Sequence, residues 1–186
     1  MLLPILHWPD PRLTTPCAPA VISPDLRQLA EDMLETMYAA SGRGLAAPQV
    51  GHLLRLFVMD VEWKDAPAAP RIFVNPEIIA ASSETSVMNE GCLSLPGFAL
   101  PIERPAEITL RWQDLDGNSH SEHLTGIAAI CAQHEYDHLD GRLTLSRTAP
   151  EALPAIAEAL ETLRAQAETQ DNTAPEDAPK RTGGAV

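Results

Sequence analysis

Gln133-His134-Glu135-Tyr136-Asp137-His138 follows the apolar run Gly126-Ile127-Ala128-Ala129-Ile130-Cys131-Ala132. Together they predict a helix over 126–139, with Gly141 as the cap just beyond it. Each helical residue advances about 100°, so positions four apart nearly superimpose. His134 and His138 can therefore aim two imidazoles at one point, while Glu135 stands about 100° round the helix. H-E-x-x-H in this setting is the pattern of a two-His metal site with a carboxylate placed to work on water. The same five residues also arise by chance on surface helices. The apolar run upstream argues for a buried helix, with Ile127, Ile130, Cys131, His134 and His138 on a single stripe.

Two imidazoles need a third protein ligand. His7, His52, His120 and His123 are candidates by type, but no context fixes any of them. Cys92 lies in Glu90-Gly91-Cys92-Leu93-Ser94, where a polar segment turns apolar. An isolated cysteine is more often buried structure than ligand. Cys131, three residues before His134, is its competitor and is assigned to the core or to a pocket wall.

Composition narrows the classes. The chain has 186 residues, enough for one domain with a real core. Thirteen basic against 26 acidic residues give a net charge of −13, which argues against nucleic acid as the main ligand. No apolar run approaches a membrane span, and Met1 to Asp10 carries no basic-then-apolar leader. Cys17, Cys92 and Cys131 are odd in number and widely spaced, so no disulfide framework is expected and a reducing cytoplasm fits.

Along the chain, residues 1–23 are proline-rich and read as an extended arm, with Trp8 and Leu13 as anchors. Ser23-Pro24 opens a helix, serine as N-cap and proline at the first position, which ends near Ser41-Gly42. Gly42 to Gly51 reads as a tight turn, or as backbone that something must approach closely. Strands are expected over 53–61, in two segments over 72–74 and 77–81 around Asn75-Pro76, and over 107–113. A hairpin turn at Asp116-Gly117 leads to a return strand over 120–124. A second amphipathic helix is expected from Pro150 to about Gln170, with Leu153, Ile156, Ala157, Leu160 and Leu163 on one stripe and Pro154 in its first turn. The fold class is α+β, mixed and mainly antiparallel sheets packed around the metal-binding helix. Residues 1–168 form the catalytic domain, and 169–186 read as a disordered acidic tail.

Three motifs, in order, resemble those of the peptide deformylases. Gly42-Arg43-Gly44-Leu45-Ala46-Ala47-Pro48-Gln49 resembles G-x-G-L-A-A-x-Q, Glu90 to Ser94 matches E-G-C-L-S, and Gln133 to Gly141 matches Q-H-E-x-D-H-L-x-G. Weaker likeness extends from Pro4 to about Leu145. The resemblance implies a metal-dependent hydrolase that removes the formyl group from N-formylmethionyl peptides or nascent chains. It implies Cys92, His134 and His138 as ligands to one divalent metal, Fe(II) by preference with Zn(II) or Ni(II) able to substitute. Glu135 is then the general acid/base, with Gln49 and the Leu93 N–H stabilising the oxyanion. The chemistry agrees: hydrolysis of a small amide needs an activated water, a proton carrier and fixed donors to the oxyanion.

For substrate, Ile127, Ile130 and Cys131 are placed to wall an apolar pocket for a methionine side chain. Gly44 and Gly91 leave room for a peptide backbone. Glu90 is suited to orient a group from a neighbouring loop, with Arg104 the candidate. Arg43 stands where the family usually has a branched aliphatic residue, and is expected as a rim cation that tunes substrate choice. Gly97-Phe98-Ala99-Leu100 lacks a basic or hydroxyl-bearing aromatic residue common in relatives. From 149 to 186, seven acidic residues face three basic ones, net −4, so docking on ribosomal RNA through this segment is not expected. Two rivals remain: a general H-E-x-x-H metallopeptidase, and a deformylase-like protein with weak or altered catalysis.

Overall fold

Leu56–Met59 (β2) is buried at every position. Its side chains alternate between two cores, as the two-residue period of a strand requires. Phe57 and Met59 enter one cluster with Phe73, Leu110, Ala129 and Ala132. Leu56 and Val58 enter another with Leu26, Met33, Met37 and Leu45. The computed structural model describes residues 1–169; the acidic tail expected over 169–186 lies, from residue 170 on, outside the described residues.

The first helix, Pro24–Ala39 (α1), is capped by the Ser23 hydroxyl, which accepts from the Leu26 N–H. Such a cap contributes about 1 kcal/mol. After it come Gly44–Ala46 (β1), a 3-10 turn Ala47–Val50, β2, Arg71–Ala81 (β3), Thr85–Cys92 (β4), Leu95–Pro105 (β5), Glu107–Gln113 (β6), Ser119–Thr125 (β7), and the metal-motif helix Gly126–Leu139 (α2). An antiparallel five-stranded sheet runs β1-β2-β3-β6-β7, and β4 pairs with β5 as a separate hairpin. Residues of α1 pack in the cluster that takes Leu56 and Val58, and residues of α2 in the cluster that takes Phe57 and Met59. The class is therefore α+β, as expected.

Several boundaries move. The strand expected over 53–61 shortens to Leu56–Met59, with Leu54 left in an isolated bridge to Ala18. The two segments around Asn75-Pro76 are one strand with a register shift. Asn75 takes φ +50 there, and its amide bonds the backbone of Ala20 in both directions. The β5 strand, not foreseen from sequence, carries prolines at 96, 101 and 105. The C-terminal segment begins as a 3-10 helix, Pro150–Ile156, and becomes α-helical only over Ala157–Thr169 (α3). Pro154 lies inside the 3-10 part, where it can supply no N–H to an α-helical ladder. Among the described residues no helix is long and apolar enough to cross a membrane.

The α2 helix spans the predicted residues, but it is not a one-sided amphipath. Nine of its residues, including Gln133, Glu135 and Asp137, are buried. Ile127, expected on the buried stripe, is 42% exposed, because it stands at the wall of the open cleft beside the metal motif. The helix ends where Gly141 takes φ +69. A Cβ there would lie 2.7 Å from the Thr14 carbonyl oxygen, so glycine is required both by conformation and by space.

Candidate metal centre

Two elements bring the donors together. The end of β4 supplies Cys92, and α2 supplies His134 and His138 on successive turns. One donor atom from each lies within 4.8 Å of the other two. Nε2 of His138 is 3.4 Å from the Cys92 Sγ. Nδ1 of His134 bonds Oε2 of Glu90 at 2.8 Å, which turns the other ring nitrogen toward the cluster. His7, His52, His120 and His123 are not in this group. Two nitrogens and a sulfur at this spacing suit a four-coordinate metal that keeps one position open.

The surroundings are buried. His134, Glu135 and His138 are all buried. Burial pushes the Glu135 carboxyl up to about 7, with the Glu90 and Asp137 charges adding to the effect. Burial likewise holds His138 well below the ordinary imidazole range, and the positive neighbours His134 and Arg104 reinforce it. Glu135 Oε2 and His138 Nδ1 are buried without hydrogen-bond partners among the described residues. A buried carboxylate oxygen with no donor is costly unless something binds there. The orphaned oxygen and the N,N,S donor set both fit a metal with a water beside it.

Gln49 lies in the 3-10 turn and is 1% exposed. Its Oε1 accepts from the Ala46 N–H at 2.8 Å, which fixes the amide orientation. Nε2 then points at Ser94 Oγ (3.1 Å) and Cys92 Sγ (3.7 Å). Ser94, which the sequence reading did not single out, thus holds Gln49 beside the thiolate position.

Behind the ligands runs a buried ion network. Arg104, 1% exposed, donates two bonds to Glu90 (2.6 and 2.9 Å) and one to Asp137 (2.7 Å). Glu90 and Arg104, suggested as partners from sequence, therefore meet. Removing one member of such a buried pair typically costs about 3–5 kcal/mol, since the other is left uncompensated. Asp137 and Arg147, not singled out from sequence, extend the network outward.

A cleft of about 420 Å³ opens beside Glu135 and His134. It is lined by Arg43, Gly44, Gln49, Gly91, Cys92 and Leu93, with Ile127, Ile130 and Cys131 on one wall and Met88 and Phe98 among the rest. Burial raises the Cys131 thiol well above its ordinary range. Gly91 has open space where a Cβ would project. Gly44 does not: the carboxyl group of Glu135 fills that place, with Oε1 only 2.3 Å from an imagined Cβ. Arg43 borders the cleft, but its guanidinium is turned to the 61–65 loop. It donates to the Val61 carbonyl and pairs with Asp65 at 3.0 Å. That loop is fastened further by the Trp63 indole N–H on the Gly42 carbonyl (2.8 Å) and Lys64 on the Ser41 carbonyl (2.6 Å).

Known proteins share this sequence pattern and fold. The family model "Polypeptide deformylase" matches residues 2–153. A peptide deformylase of Rhodopseudomonas palustris strain BisA53 is 49% identical over 142 residues, covering 75% of this chain and 79% of the relative. That of Afipia carboxidovorans is 49% identical over 140 residues, covering 75% and 82%. Among solved structures, a plant peptide deformylase superposes with a TM-score of 0.87 at 32% identity, covering 95% of this chain and 96% of the other. The Thermotoga maritima peptide deformylase gives 0.76 at 41% identity, covering 81% and 99%. By sequence, fold and the Cys-His-His cluster alike, the chain belongs to the peptide deformylase family, metal-dependent hydrolases that release the formyl group from formyl-Met peptides.

Proposed function

We propose that Cys92, His134 and His138 hold one divalent metal, that Glu135 carries the proton, and that Gln49 and the Leu93 N–H receive the oxyanion during deformylation. The observation that carries this is the convergence of three donor atoms within 4.8 Å next to a buried, unpartnered oxygen of Glu135. When bound, the metal supplies the Lewis acidity that makes a water nucleophilic at neutral pH. Glu135 takes a proton from the attacking water and returns it to the leaving amine nitrogen. Its raised proton affinity suits a group that must both accept and donate near neutrality. Gln49, oriented by Ala46 and Ser94, presents the amide N–H that Ser94 does not take, on the side of Cys92. Loss of one such donor costs roughly 3–4 kcal/mol of barrier.

Fe(II) is the proposed metal in the cell, with zinc or nickel able to take its place. The thiolate favours a soft or borderline ion, and the two imidazoles suit iron, nickel and zinc alike. Ile127, Ile130 and Cys131 form the proposed wall for the methionine side chain, and Gly91 leaves room for the peptide backbone. Arg43 acts on substrate mainly through the loop it holds, since Asp65 offsets its charge.

Residues 1–168 are proposed as one catalytic unit working in the cytoplasm on formyl-Met peptides or nascent chains. Docking on ribosomal RNA through α3 is not part of this reading. Leu160 and Leu163 pack on Leu6, Leu13 and Leu143. The outward positions of α3 carry Glu158 and Glu161. The test is formate release from formyl-Met-Ala-Ser by anaerobically purified protein, before chelation, after chelation and after return of iron(II) or nickel(II). Turnover lost with the metal and regained with it supports the reading; turnover indifferent to chelation contradicts it.

A further inference from the structure

Arg147 lies just beyond the short 3-10 helix Thr144–Ser146, ahead of the C-terminal segment. Its guanidinium grips Asp137 with two bonds, Nε to Oδ2 and Nη2 to Oδ1, each 2.5 Å. Oδ2 of Asp137 also accepts from Arg104 at 2.7 Å. Arg104 in turn forks onto both oxygens of Glu90, and Oε2 of Glu90 bonds Nδ1 of His134 at 2.8 Å. An unbroken path thus runs from a side chain 35% exposed to a ring that belongs to the metal cluster.

The charges along this path explain why its outer end matters. Arg104 is one buried cation between two buried carboxylates. Arg147 brings the second cation, so that two positive and two negative side chains balance. Without it, Asp137 is left with Arg104 as its one cationic partner among the described residues and draws it away from Glu90. Glu90 is then held less firmly on His134. Partners of this kind fix the ring orientation of a ligating histidine and raise its basicity.

We propose that Arg147 is a positioning residue for the metal centre, acting through Asp137, Arg104 and Glu90 on His134. The inference rests on the metal-site reading above. Arginine is suited to the task because its planar fork matches the carboxylate, which a lysine ammonium cannot do.

The experiment compares cobalt(II) binding to wild type, Arg147→Met, Arg147→Lys and the exposed control Arg142→Met. Affinity is read by competition with a chelator, geometry from the cobalt d–d and thiolate charge-transfer absorption, and folding from circular dichroism. The expected result is an affinity loss of about 3- to 10-fold for Arg147→Met, below the roughly 10- to 100-fold of a partner bonded directly to a ligand, because Arg147 acts through three residues. The d–d bands shift, Arg147→Lys falls between, and Arg142→Met matches wild type. In turnover, kcat falls while KM holds. If Arg147→Met fails to fold, Arg147→Lys carries the test, with an expected loss of about 2- to 3-fold. Wild-type affinity and spectrum in a folded Arg147 variant, even one with a lowered Tm, overturn the proposal and leave a structural tie only. A wild-type protein that takes up cobalt without a thiolate charge-transfer band contradicts the metal-site reading itself, which is a separate failure.

Discussion

The Glu135 carboxylate occupies the space that a side chain on residue 44 would need: a Cβ on Gly44 would fall 2.3 Å from Oε1, 2.7 Å from Cδ and 2.8 Å from Cγ. The glycine in β1 therefore sets where the proposed proton carrier stands. This is a second demand for glycine here, beside the room for substrate that its sequence context suggested. Gly44→Ala is expected to displace Glu135 and to lower kcat by about 100-fold, the scale of a 1 Å misplacement of a reacting group. Metal content should stay near that of wild type, because the atoms nearest an added Cβ belong to Glu135 and not to a ligand. Steady-state kinetics with metal analysis on the same preparation checks this; unchanged kcat would show that Glu135 has another productive position.

Cys92 and Cys131 both border the cleft, yet only Cys92 is within the donor cluster. Cys92→Ser should weaken metal binding by more than about 100-fold, beyond the loss of an outer partner, because a hydroxyl replaces a thiolate poorly. Cys131→Ser should bind metal as wild type does. Chelator competition on the two variants decides between them, and the reverse ranking would reassign the third ligand.

The motif helix was the most legible element, because its apolar run and H-E-x-x-H left little freedom in placing Gly126–Leu139. The Cys-His-His grouping was legible only through the resemblance: residues 92 and 134 are far apart in sequence, and no local pattern states that β4 ends against α2. The β4–β5 hairpin was hidden by its own function. Leu100, Ile102 and Arg104 alternate inward as a strand requires, but the third is a charge that faces Glu90 and Asp137, so the apolar pattern breaks where the network begins. Pro96, Pro101 and Pro105 obscure it further. Asp137 is a fixed position of the third motif but came with no role attached, and Arg147 carried no signal of its own, since a charged residue on a helix or a loop usually reads as solvated.

Asp60 fastens the loop beside Arg43. It accepts from the Tyr38 hydroxyl (2.7 Å) and from the N–H groups of Glu62, Trp63 and Ala69. Burial alone would raise its carboxyl, but these four donors prevail and hold it below the usual range. A folded-state pKa below the unfolded value of about 3.9 adds stability that is present above that pH and lost as pH falls through the folded value. Asp60→Asn should cost roughly 2 kcal/mol near neutrality, as charged hydrogen bonds are lost. The gap in Tm should close below about pH 4. Thermal melts of both proteins from pH 3 to 7 measure it, and a gap that widened in acid would refute the assignment.

Arg43 spends its guanidinium on Val61 and Asp65. Arg43→Ile should therefore change the ratio of kcat/KM for formyl-Met-Asp over formyl-Met-Lys peptides by less than about 2-fold, since an offset, partly exposed charge is screened within a Debye length. It should instead loosen the 61–65 loop and raise KM for both peptides. A large, salt-sensitive change in the ratio would restore Arg43 as a charge selector.

The proton-carrying role of Glu135 is the centre of the account, and Glu135→Gln tests it most directly, because the amide keeps the shape of the side chain and removes only its ability to take a proton. Formate release from formyl-Met-Ala-Ser and metal content are measured on the same sample. The expected result is a kcat lower by at least about 100-fold, the low end for a positioned acid/base group, with about one equivalent of metal still bound. Substantial turnover by this variant, or loss of its metal, would contradict it.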